Sequence, residues 1–321
     1  MASNKEKRSL RIVFMGTPDF AVAGLSALVA SGHTVVGVIT APDKPAGRGR
    51  KLHESAVKRY AVEKGLKVMQ PTNLKDESFL EELKSVRPNL QIVVAFRMLP
   101  KVVWQIPEFG TFNLHASLLP QYRGAAPINW AIINGEKTTG VTTFFIDEKI
   151  DTGEIILQKE TTIDPGENAG QLHDKLMELG ATLILETVDL IQDNKVVTQK
   201  QPHSKALKSA PKIFREDGKI DWSLPGKTIF DFIRGLSPYP AAWSFLKDNV
   251  EEIVVKIFEV EFEREQHKQG VGTILTSKST LKIAVRDGYI SLLTVQFPGK
   301  RKMTIKEVLN GLKLEEDAHV L

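Results

Sequence analysis

The sequence predicts an α/β protein with a mainly parallel sheet over most of its length, followed by a smaller β-rich domain. From residue 10 to about residue 193, short apolar runs alternate with stretches of helical periodicity, an order that gives βαβ units. Beyond about residue 240, short strand-like runs follow at close spacing, which is typical of a small barrel. Between the two parts, Pro, Ser, Ala and Lys come in quick succession over residues 202–212.

The first βαβ unit is the clearest part of the pattern. A strand is predicted over residues 10–15, and Gly16 follows it as a turn residue. Pro18 suits the first turn of a helix, and apolar residues recur at helical spacing from there to Val29. A strand over residues 35–39 completes the unit. Further strands are predicted at residues 67–69, 91–95, 111–115, 141–146 and 154–159, and further helices at residues 55–64, 77–86, 127–134 and 168–193.

This alternation is Rossmann-like, and the change in pattern divides the chain into two predicted domains, residues 1–206 and 207–321. The second begins with a predicted helix over residues 227–234. Its predicted strands are residues 242–246, 253–260, 271–275, 281–285 and 289–295.

Composition argues against several classes of protein and of binding site. The chain has 321 residues, 42% of them hydrophobic, yet no apolar run reaches the roughly 18 residues that a membrane span needs. Residues 1–8 are polar and lead directly into a strand, unlike a signal or transit peptide. There is no cysteine, and the seven histidines do not have metal-ligand spacing. We therefore expect a soluble, cytoplasmic protein without a metal site. A monomer is a separate expectation, which composition does not decide.

Positive charge is concentrated near the N-terminal end. The formal net charge is +4, but residues 43–67 alone hold eight Lys and Arg against three Asp and Glu. Such a stretch can form a patch that faces phosphates. The alternative is a solvated helix face beside a loop.

The turn after the first strand does not match a dinucleotide fingerprint. That fingerprint needs glycines at three positions of a G-x-G-x-x-G pattern. If Gly16 is the first, Pro18 and Ala21 occupy the other two positions. The sequence therefore predicts no nicotinamide cofactor, although the fold is of the Rossmann type.

Candidate catalytic residues lie at the end of the strand predicted over residues 111–115. Asn113 and His115 are two positions apart, so their side chains share one face of a strand. An amide and an imidazole can both donate to an oxyanion. Asp151 or Asp147 in a later loop could orient the histidine or accept a proton. Spacing alone leaves both aspartates open.

Three segments extend this pattern. They are Asn113-Leu114-His115-Ala116-Ser117-Leu118-Leu119-Pro120, Tyr122-Arg123-Gly124-Ala125-Ala126-Pro127-Ile128 and Asp151-Thr152-Gly153. Together they resemble the signature of formyltransferases that use 10-formyltetrahydrofolate. The resemblance runs from about residue 11 to about residue 300. It implies catalytic roles for Asn113, His115 and Asp151 and an OB-like barrel for the second domain.

Two further segments indicate which members of the family the chain resembles. Residues 14–20 (FMGTPDF) and 42–51 (PDKPAGRGRK) are similar to segments of family members that act on methionyl initiator tRNA. The resemblance implies that the second segment enters the acceptor end of the tRNA, with Arg48 at its centre. The predicted tRNA-binding residues are Lys44, Arg48, Arg50 and Lys51.

The resemblance also implies where the folate binds. The predicted contacts are Ser117, Leu118, Leu119 and Pro120, with Phe96, Met98 and Leu99 as a wall for the pterin. Core packing is the alternative for those last three. The sequence Phe96-Arg97-Met98-Leu99-Pro100 departs from the commoner family pattern, which has a glycine after the aromatic residue and one more residue before the proline.

Two other functions stay open at this point. One is a formyltransferase acting on an amino sugar or another small amine such as a ribosyl glycinamide. The other is a non-catalytic RNA-binding protein with an OB-like domain. The basic segment and the second domain argue against a glycinamide enzyme, and the presence of Asn113, His115 and Asp151 argues against a protein without catalysis.

Overall fold

A computed structural model describes residues 7–46, 51–202, 206–248, 251–311, 314–315 and 318–321. In these residues the strands are β1 Ile12–Gly16, β2 Val35–Ile39, β3 Lys44–Ala46, β4 Lys51–His53, β5 Val68–Met69, β6 Leu90–Val94, β7 Thr111–His115, β8 Arg123–Gly124, β9 Thr138–Phe145, β10 Ile155–Thr162, β11 Ser209–Ala210, β12 Ala242–Asp248, β13 Glu251–Arg264, β14 Ile274–Thr276, β15 Leu281–Val285, β16 Gly288–Gln296, β17 Met303–Thr304 and β18 His319–Val320. The helices are α1 Asp19–Ala30, α2 Ala56–Glu63, α3 Glu77–Ser85, α4 Lys101–Trp104, α5 Pro127–Ile133, α6 Ala169–Gln192, α7 Gly226–Leu236 and α8 Ile305–Leu309, with a 3₁₀ turn at Glu216–Gly218.

The chain divides into two compact units. The first comprises Met1–Gly124, Thr139–Thr161 and His173–Ser209, and the second comprises Ala125–Thr138, Thr162–Leu172 and Ala210–Leu321. Two stretches from the middle of the chain thus belong to the second unit. The domain boundary at residue 206 stays a prediction.

A seven-stranded sheet forms the centre of the first unit, in the order β10-β9-β7-β6-β1-β2-β5. The pairs β5·β2, β2·β1, β1·β6 and β6·β7 are parallel, while β9 runs antiparallel to β7. The predicted mainly parallel, Rossmann-like sheet is confirmed. Because β1, β2, β6 and β7 run the same way, their carboxyl ends share one edge, where ligands bind in such sheets.

Local sequence explains where the helices of this unit begin. Ser55 caps α2 by accepting a hydrogen bond from the Lys58 amide at 3.0 Å. Asp76 caps α3 by accepting from the Ser78 amide at 2.9 Å. Each cap satisfies an amide that the first helical turn leaves without an internal partner. The apolar faces then pack on a core that includes Met15, Ile39, Met69, Leu83 and Val93.

The second unit contains an antiparallel sheet that curls back on itself. Its strand order is β14-β15-β16-β13-β12-β18, with β17 on β16. An isolated bridge joins Thr273, just before β14, to His319 in β18, so the two ends of this order meet. The predicted small barrel is confirmed as a nearly closed one. Its core includes Ile229 and Ile233 of α7, together with Ile257, Ile283 and Ile290 of the sheet.

The segment at residues 44–53 contains two short strands that the sequence does not predict. Its two ends form a short antiparallel ribbon in which Lys44 pairs with His53 and Pro45 with Leu52. At its base, Asp43 accepts hydrogen bonds from Lys58 and, at 2.8 Å, from Gln70. These bonds lower the pKa of the Asp43 carboxyl, that with Lys58 most of all. The ribbon was missed because strands of three residues, one with a proline, carry little alternation.

Among the residues that the structure describes, no helix is both long enough and apolar enough to cross a bilayer.

Candidate active site

His115 is the last residue of β7, at the carboxyl edge of the parallel sheet. The strand lies between β6 and β9, and His115 pairs with Thr142 of β9. Phe112 and Leu114 are buried on one face of β7, so Asn113 and His115 project from the other. The edge of the sheet thus places an amide and an imidazole on the same face, as the sequence predicts.

A backbone carbonyl fixes the tautomer of His115. Its Nε2 lies 2.8 Å from the carbonyl oxygen of Tyr122, and a carbonyl can only accept, so Nε2 carries a proton and donates it. The ring is only 6% exposed. Nδ1 is therefore the ring nitrogen that is left to exchange a proton with a substrate.

Asp151 lies beside Nδ1 of His115, whereas Asp147 has other hydrogen-bond partners. Nδ1 of His115 is 3.8 Å from Oδ2 of Asp151, and the same Oδ2 accepts the Gly124 amide at 2.9 Å. Asp147 instead accepts the Thr152 hydroxyl at 2.7 and 2.9 Å and the Lys149 amide at 3.0 Å. The structure places Asp151 next to His115, while Asp147 accepts hydrogen bonds from other residues of the loop that it shares with Asp151.

Asn113 contributes a buried polar atom. Its Oδ1 is buried, and among the described residues it has no hydrogen-bond partner. An unpaired buried amide oxygen costs about 1–3 kcal/mol, so natural proteins rarely retain one without a partner. The orphaned atom therefore marks a place where a ligand with a hydrogen-bond donor would be stabilised.

The predicted folate-contacting loop, Ser117, Leu118, Leu119 and Pro120, follows β7 directly and is held by two side chains. The Thr142 hydroxyl donates to the Ser117 carbonyl at 2.6 Å and accepts the Leu119 amide at 3.1 Å. Gln158 of β10 donates to the Leu119 carbonyl at 2.9 Å and to the Thr142 hydroxyl at 3.0 Å. Leu119 also packs with Phe144. The loop is therefore rigidly joined to β9 and β10.

Removal of the Thr142 hydroxyl should loosen this loop measurably. Thr142→Val keeps the shape of the side chain but leaves the Ser117 carbonyl and the Leu119 amide without their partner. We expect the free energy of unfolding to fall by about 1–3 kcal/mol, the usual cost of unpaired buried groups. Urea unfolding followed by fluorescence measures it.

Thr138→Val is the matched control, because Thr138 begins the same strand and is exposed. It should leave the free energy of unfolding within about 0.5 kcal/mol of the unchanged protein, as surface substitutions do. Equal values for the two variants would contradict the bracing role of Thr142.

The three predicted pterin-wall residues have different surroundings. Leu99 is 7% exposed and belongs to the core of the first unit, whereas Met98 is 68% exposed. Phe96 is half-buried against the same core. Arg97 donates to the Thr72 carbonyl at 2.9 Å and also to the Pro71 carbonyl. Contact of these residues with a pterin stays a prediction.

The predicted tRNA-binding residues fall only partly within the described chain. Lys44 is exposed at the start of β3, and Lys51 begins β4. Arg48 and Arg50 lie outside the described residues. Their roles stay predictions.

Within the described ranges, the structure contains no group of three or more His, Asp or Glu side chains that could hold a metal ion.

Several groups that hold the site were not predicted from the sequence. The Tyr122 carbonyl and the Gly124 amide act through the backbone, which residue identity does not reveal. Thr142 and Gln158 are polar residues in strands, without a motif to single them out. Gln201, whose amide donates to the carbonyls of Asp151 and Gly153, follows α6 and comes just before residues 202–212, which the sequence marks only as a boundary.

Comparison with known proteins agrees with this geometry. The family described as "Formyl transferase" matches residues 10–188, and "Formyl transferase, C-terminal domain" matches residues 212–313. The chain belongs to the formyl transferase family, which confirms the resemblance found in the sequence. It is 58% identical to methionyl-tRNA formyltransferase of Flavobacterium johnsoniae over 311 residues, covering 97% of this chain and 99% of that one. It is 55% identical to methionyl-tRNA formyltransferase of Bacteroides thetaiotaomicron over 316 residues, covering 97% and 98%.

Solved structures with little sequence similarity share the fold. The N-formyltransferase from Helicobacter canadensis, in complex with folinic acid and dTDP-3-aminofucose, has a TM-score of 0.65 at 23% identity, covering 88% of this chain and 98% of that one. HypX from Aquifex aeolicus in complex with tetrahydrofolic acid has a TM-score of 0.64 at 20% identity, covering 96% of this chain and 49% of that one.

Proposed function

We propose that the chain transfers a formyl group from 10-formyltetrahydrofolate to the amino group of methionyl initiator tRNA. The observation that carries the proposal is the group of buried His115 with half-buried Asn113 and Asp151 at the carboxyl edge of the sheet. It occurs in a member of the formyl transferase family whose relatives, at 55–58% identity, are methionyl-tRNA formyltransferases. Since the acceptor is a cytoplasmic RNA, we place the protein in the cytoplasm, and we expect a monomer.

The reaction exchanges one carbon–nitrogen bond for another. The amine of the methionyl group attacks the formyl carbon, and the carbonyl electrons move to oxygen in a tetrahedral intermediate. The bond from carbon to N10 of the folate then breaks, and the proton lost by the amine is restored to N10. The donor, when bound, supplies a formyl group already activated by its attachment to N10. The protein has to stabilise the oxyanion and move that proton.

Asn113 and His115 suit the oxyanion. Both project from one face of β7, and the NH₂ group of Asn113 can donate to the oxygen atom. Because the Nε2–H of His115 is used by the Tyr122 carbonyl, the imidazole donates to the oxyanion through Nδ1, once that nitrogen has taken up a proton. The amide of Asn113 has two ends, so its orphaned Oδ1 can accept a hydrogen bond from the attacking amine while its NH₂ group donates to the oxyanion. This arrangement satisfies the one buried polar atom of the site that has no partner in the described chain.

Asp151 suits the proton transfer. Its Oδ2 is oriented by the Gly124 amide and lies 3.8 Å from Nδ1 of His115. A carboxylate at that distance stabilises a positive charge on the imidazole. We propose that Asp151 supports His115 in this way and takes up the proton of the amine, directly or through a water molecule.

Substitution of Arg48 tests whether the protein binds charged initiator tRNA as its acceptor. We expect Arg48→Ala to lower kcat/KM for charged initiator tRNA by about a hundredfold, since misplacement of a reacting group by about 1 Å can cost that much. Arg48→Lys should recover only part of it, because lysine cannot make two parallel hydrogen bonds. Folate binding should change little. Steady-state kinetics on initiator and elongator tRNAs measure the effect.

Arg87→Ala is a charge-matched control, because Arg87 is exposed and precedes β6 at the opposite end of the sheet. It should leave kcat/KM for charged tRNA unchanged. An Arg48→Ala variant that behaves like this control would show that the ribbon segment does not bind the acceptor.

The proposed function is tested by the release of tetrahydrofolate with different acceptors. We expect release with charged initiator tRNA, and none with uncharged tRNA, free methionine, an amino-sugar nucleotide or glycinamide ribonucleotide. Release with the amino sugar would favour a small-molecule formyltransferase. Binding of tRNA without any release would favour the non-catalytic alternative.

A further inference from the structure

The side chain of Gln201 reaches from the segment after α6 to the loop that carries Asp151. It is 7% exposed. Its Nε2 donates to the Asp151 carbonyl at 3.0 Å and to the Gly153 carbonyl at 2.8 Å. One amide group therefore uses both of its N–H bonds on the same short turn.

Arg123 fixes the orientation of that amide. Its Nε and Nη2 donate to Oε1 of Gln201 at 3.1 and 2.6 Å. A guanidinium can only donate and a backbone carbonyl can only accept, so the amide has one orientation that satisfies both neighbours. If it turned over, N–H groups would face Arg123 and an oxygen would face two carbonyl oxygens.

The turn held by Gln201 has a demanding backbone conformation. Asp151 has a φ of 54°, in the left-handed region that aspartate visits more readily than most residues. Two residues on, a Cβ at Gly153 would lie 1.7 Å from the Phe145 carbonyl oxygen. Such a conformation persists only where its surroundings hold it, and Gln201 supplies two of the hydrogen bonds that do so.

The neighbours of Arg123 contact the other two members of the site. The Tyr122 carbonyl accepts from His115, and the Gly124 amide donates to the Asp151 carboxylate. Residues 122–124 thus hold the histidine, the carboxylate and, through Gln201, the backbone that carries the carboxylate. A shift of this segment or of Gln201 changes the distance between His115 and Asp151.

We propose that Gln201 is a positioning residue for Asp151, and that Arg123 acts by orienting Gln201. The proposal rests on the proposed function, since it assigns both residues to the formyl transfer that Asp151 supports. Neither side chain needs to touch a substrate. The expected consequence is a loss of turnover without a loss of substrate binding.

Gln201→Glu tests the contact with the turn. Glutamate still accepts from Arg123, but it cannot donate to the carbonyls of Asp151 and Gly153, and its charge repels them. We expect kcat to fall by about a hundredfold, as for a reacting group displaced by about 1 Å. KM for the folate and for the tRNA should each stay within about threefold, because binding groups are untouched. The measurement is steady-state formylation with both substrates varied.

A double-variant cycle tests the role of Arg123. If Arg123 acts only through Gln201, then Arg123→Ala combined with Gln201→Ala should lower kcat no further than Gln201→Ala alone. Multiplied losses would overturn this part of the proposal. A raised KM for tRNA in Arg123→Ala with kcat unchanged would also overturn it, since that result assigns the guanidinium to the acceptor.

The control is Gln199→Ala, an exposed glutamine two residues earlier, of which only backbone atoms pair with Ile155. It should leave kcat unchanged. Thermal unfolding and binding of 5-formyltetrahydrofolate are measured for each variant. If Gln201→Glu does not fold, Arg123→Ala with Gln201 intact takes its place: a lower kcat with unchanged KM values supports the proposal, and a normal kcat overturns it. Normal kcat in folded Gln201→Glu would overturn the positioning role while leaving the proposed function intact. Failure of the unchanged protein to formylate charged tRNA would overturn the proposed function itself.

Discussion

His115→Ala is expected to lower kcat for formyl transfer by about two to four orders of magnitude, the range for loss of an oxyanion donor or a general acid–base group. The ring is the buried donor at the carboxyl edge of the sheet, and its orientation is fixed by the Tyr122 carbonyl. Steady-state formylation of charged tRNA measures kcat. Calorimetry with 5-formyltetrahydrofolate should show that binding of the folate is retained.

Asn113→Ala should lower kcat by the same two to four orders of magnitude, because the amide is the second donor on the same face of β7. The control for both variants is His33→Ala, which lies just before β2 at the opposite end of the sheet. It should turn over normally. Near-normal kcat in His115→Ala would remove the imidazole from the mechanism.

The second large effect is expected from Gly153→Ala. A Cβ there would lie 1.7 Å from the Phe145 carbonyl oxygen, so the backbone of the turn has to move. The movement carries Asp151 away from His115, and a displacement of about 1 Å is enough to lower kcat roughly a hundredfold. We also expect a lower thermal midpoint. Formylation kinetics and differential scanning calorimetry measure the two effects.

Gly166→Ala is the matched control, because a Cβ at Gly166 would meet no atom within 4 Å. It should leave both kcat and the thermal midpoint close to those of the unchanged protein. Gly153→Ala with normal kcat would mean that the turn tolerates displacement and that Asp151 need not be held where it lies.

Much of the first unit is predictable from sequence because its elements are locally consistent. The strands Val35–Ile39 and Thr111–His115 have the predicted bounds. The first is a short apolar run, and the second alternates polar with apolar residues. Ser55 and Asp76 cap their helices as their residue types suggest. In the second unit, Leu281–Val285 also has the predicted bounds.

Other elements could not be predicted because their stability comes from distant contacts. Lys101–Trp104 has four residues, too few for a helical period to be recognised. The assignment of Ala125–Thr138 to the second unit depends on contacts with residues a hundred positions later, such as the hydrogen bond from Asn129 to the Gly235 carbonyl. Ile305–Leu309 did carry a signal, because Thr304 and Glu307 form a capping box.

The candidate site, too, could be predicted from the sequence only in part. Asn113 and His115 could be paired from the sequence, because a strand places alternate residues on one face. The preference for Asp151 over Asp147 came from the resemblance to the family, since spacing alone allowed both. The parts that the sequence did not predict are those that hold Asp151 in place. They are a backbone amide at Gly124 and a glutamine fifty residues beyond the loop.

The most direct measurement is the single-turnover rate of formyl transfer in Asp151→Asn beside Asp147→Asn. Both variants remove one negative charge from the same loop, but only Asp151 lies near His115, at 3.8 Å. Asparagine at residue 147 can still accept the Thr152 hydroxyl that Asp147 accepts now. We expect Asp151→Asn to transfer the formyl group about two to four orders of magnitude more slowly, with Asp147→Asn within about tenfold of the unchanged protein, as for loss of a group that only shapes the loop. Equal rates in the two variants, or a slower Asp147→Asn, would contradict the assignment of Asp151 to the site.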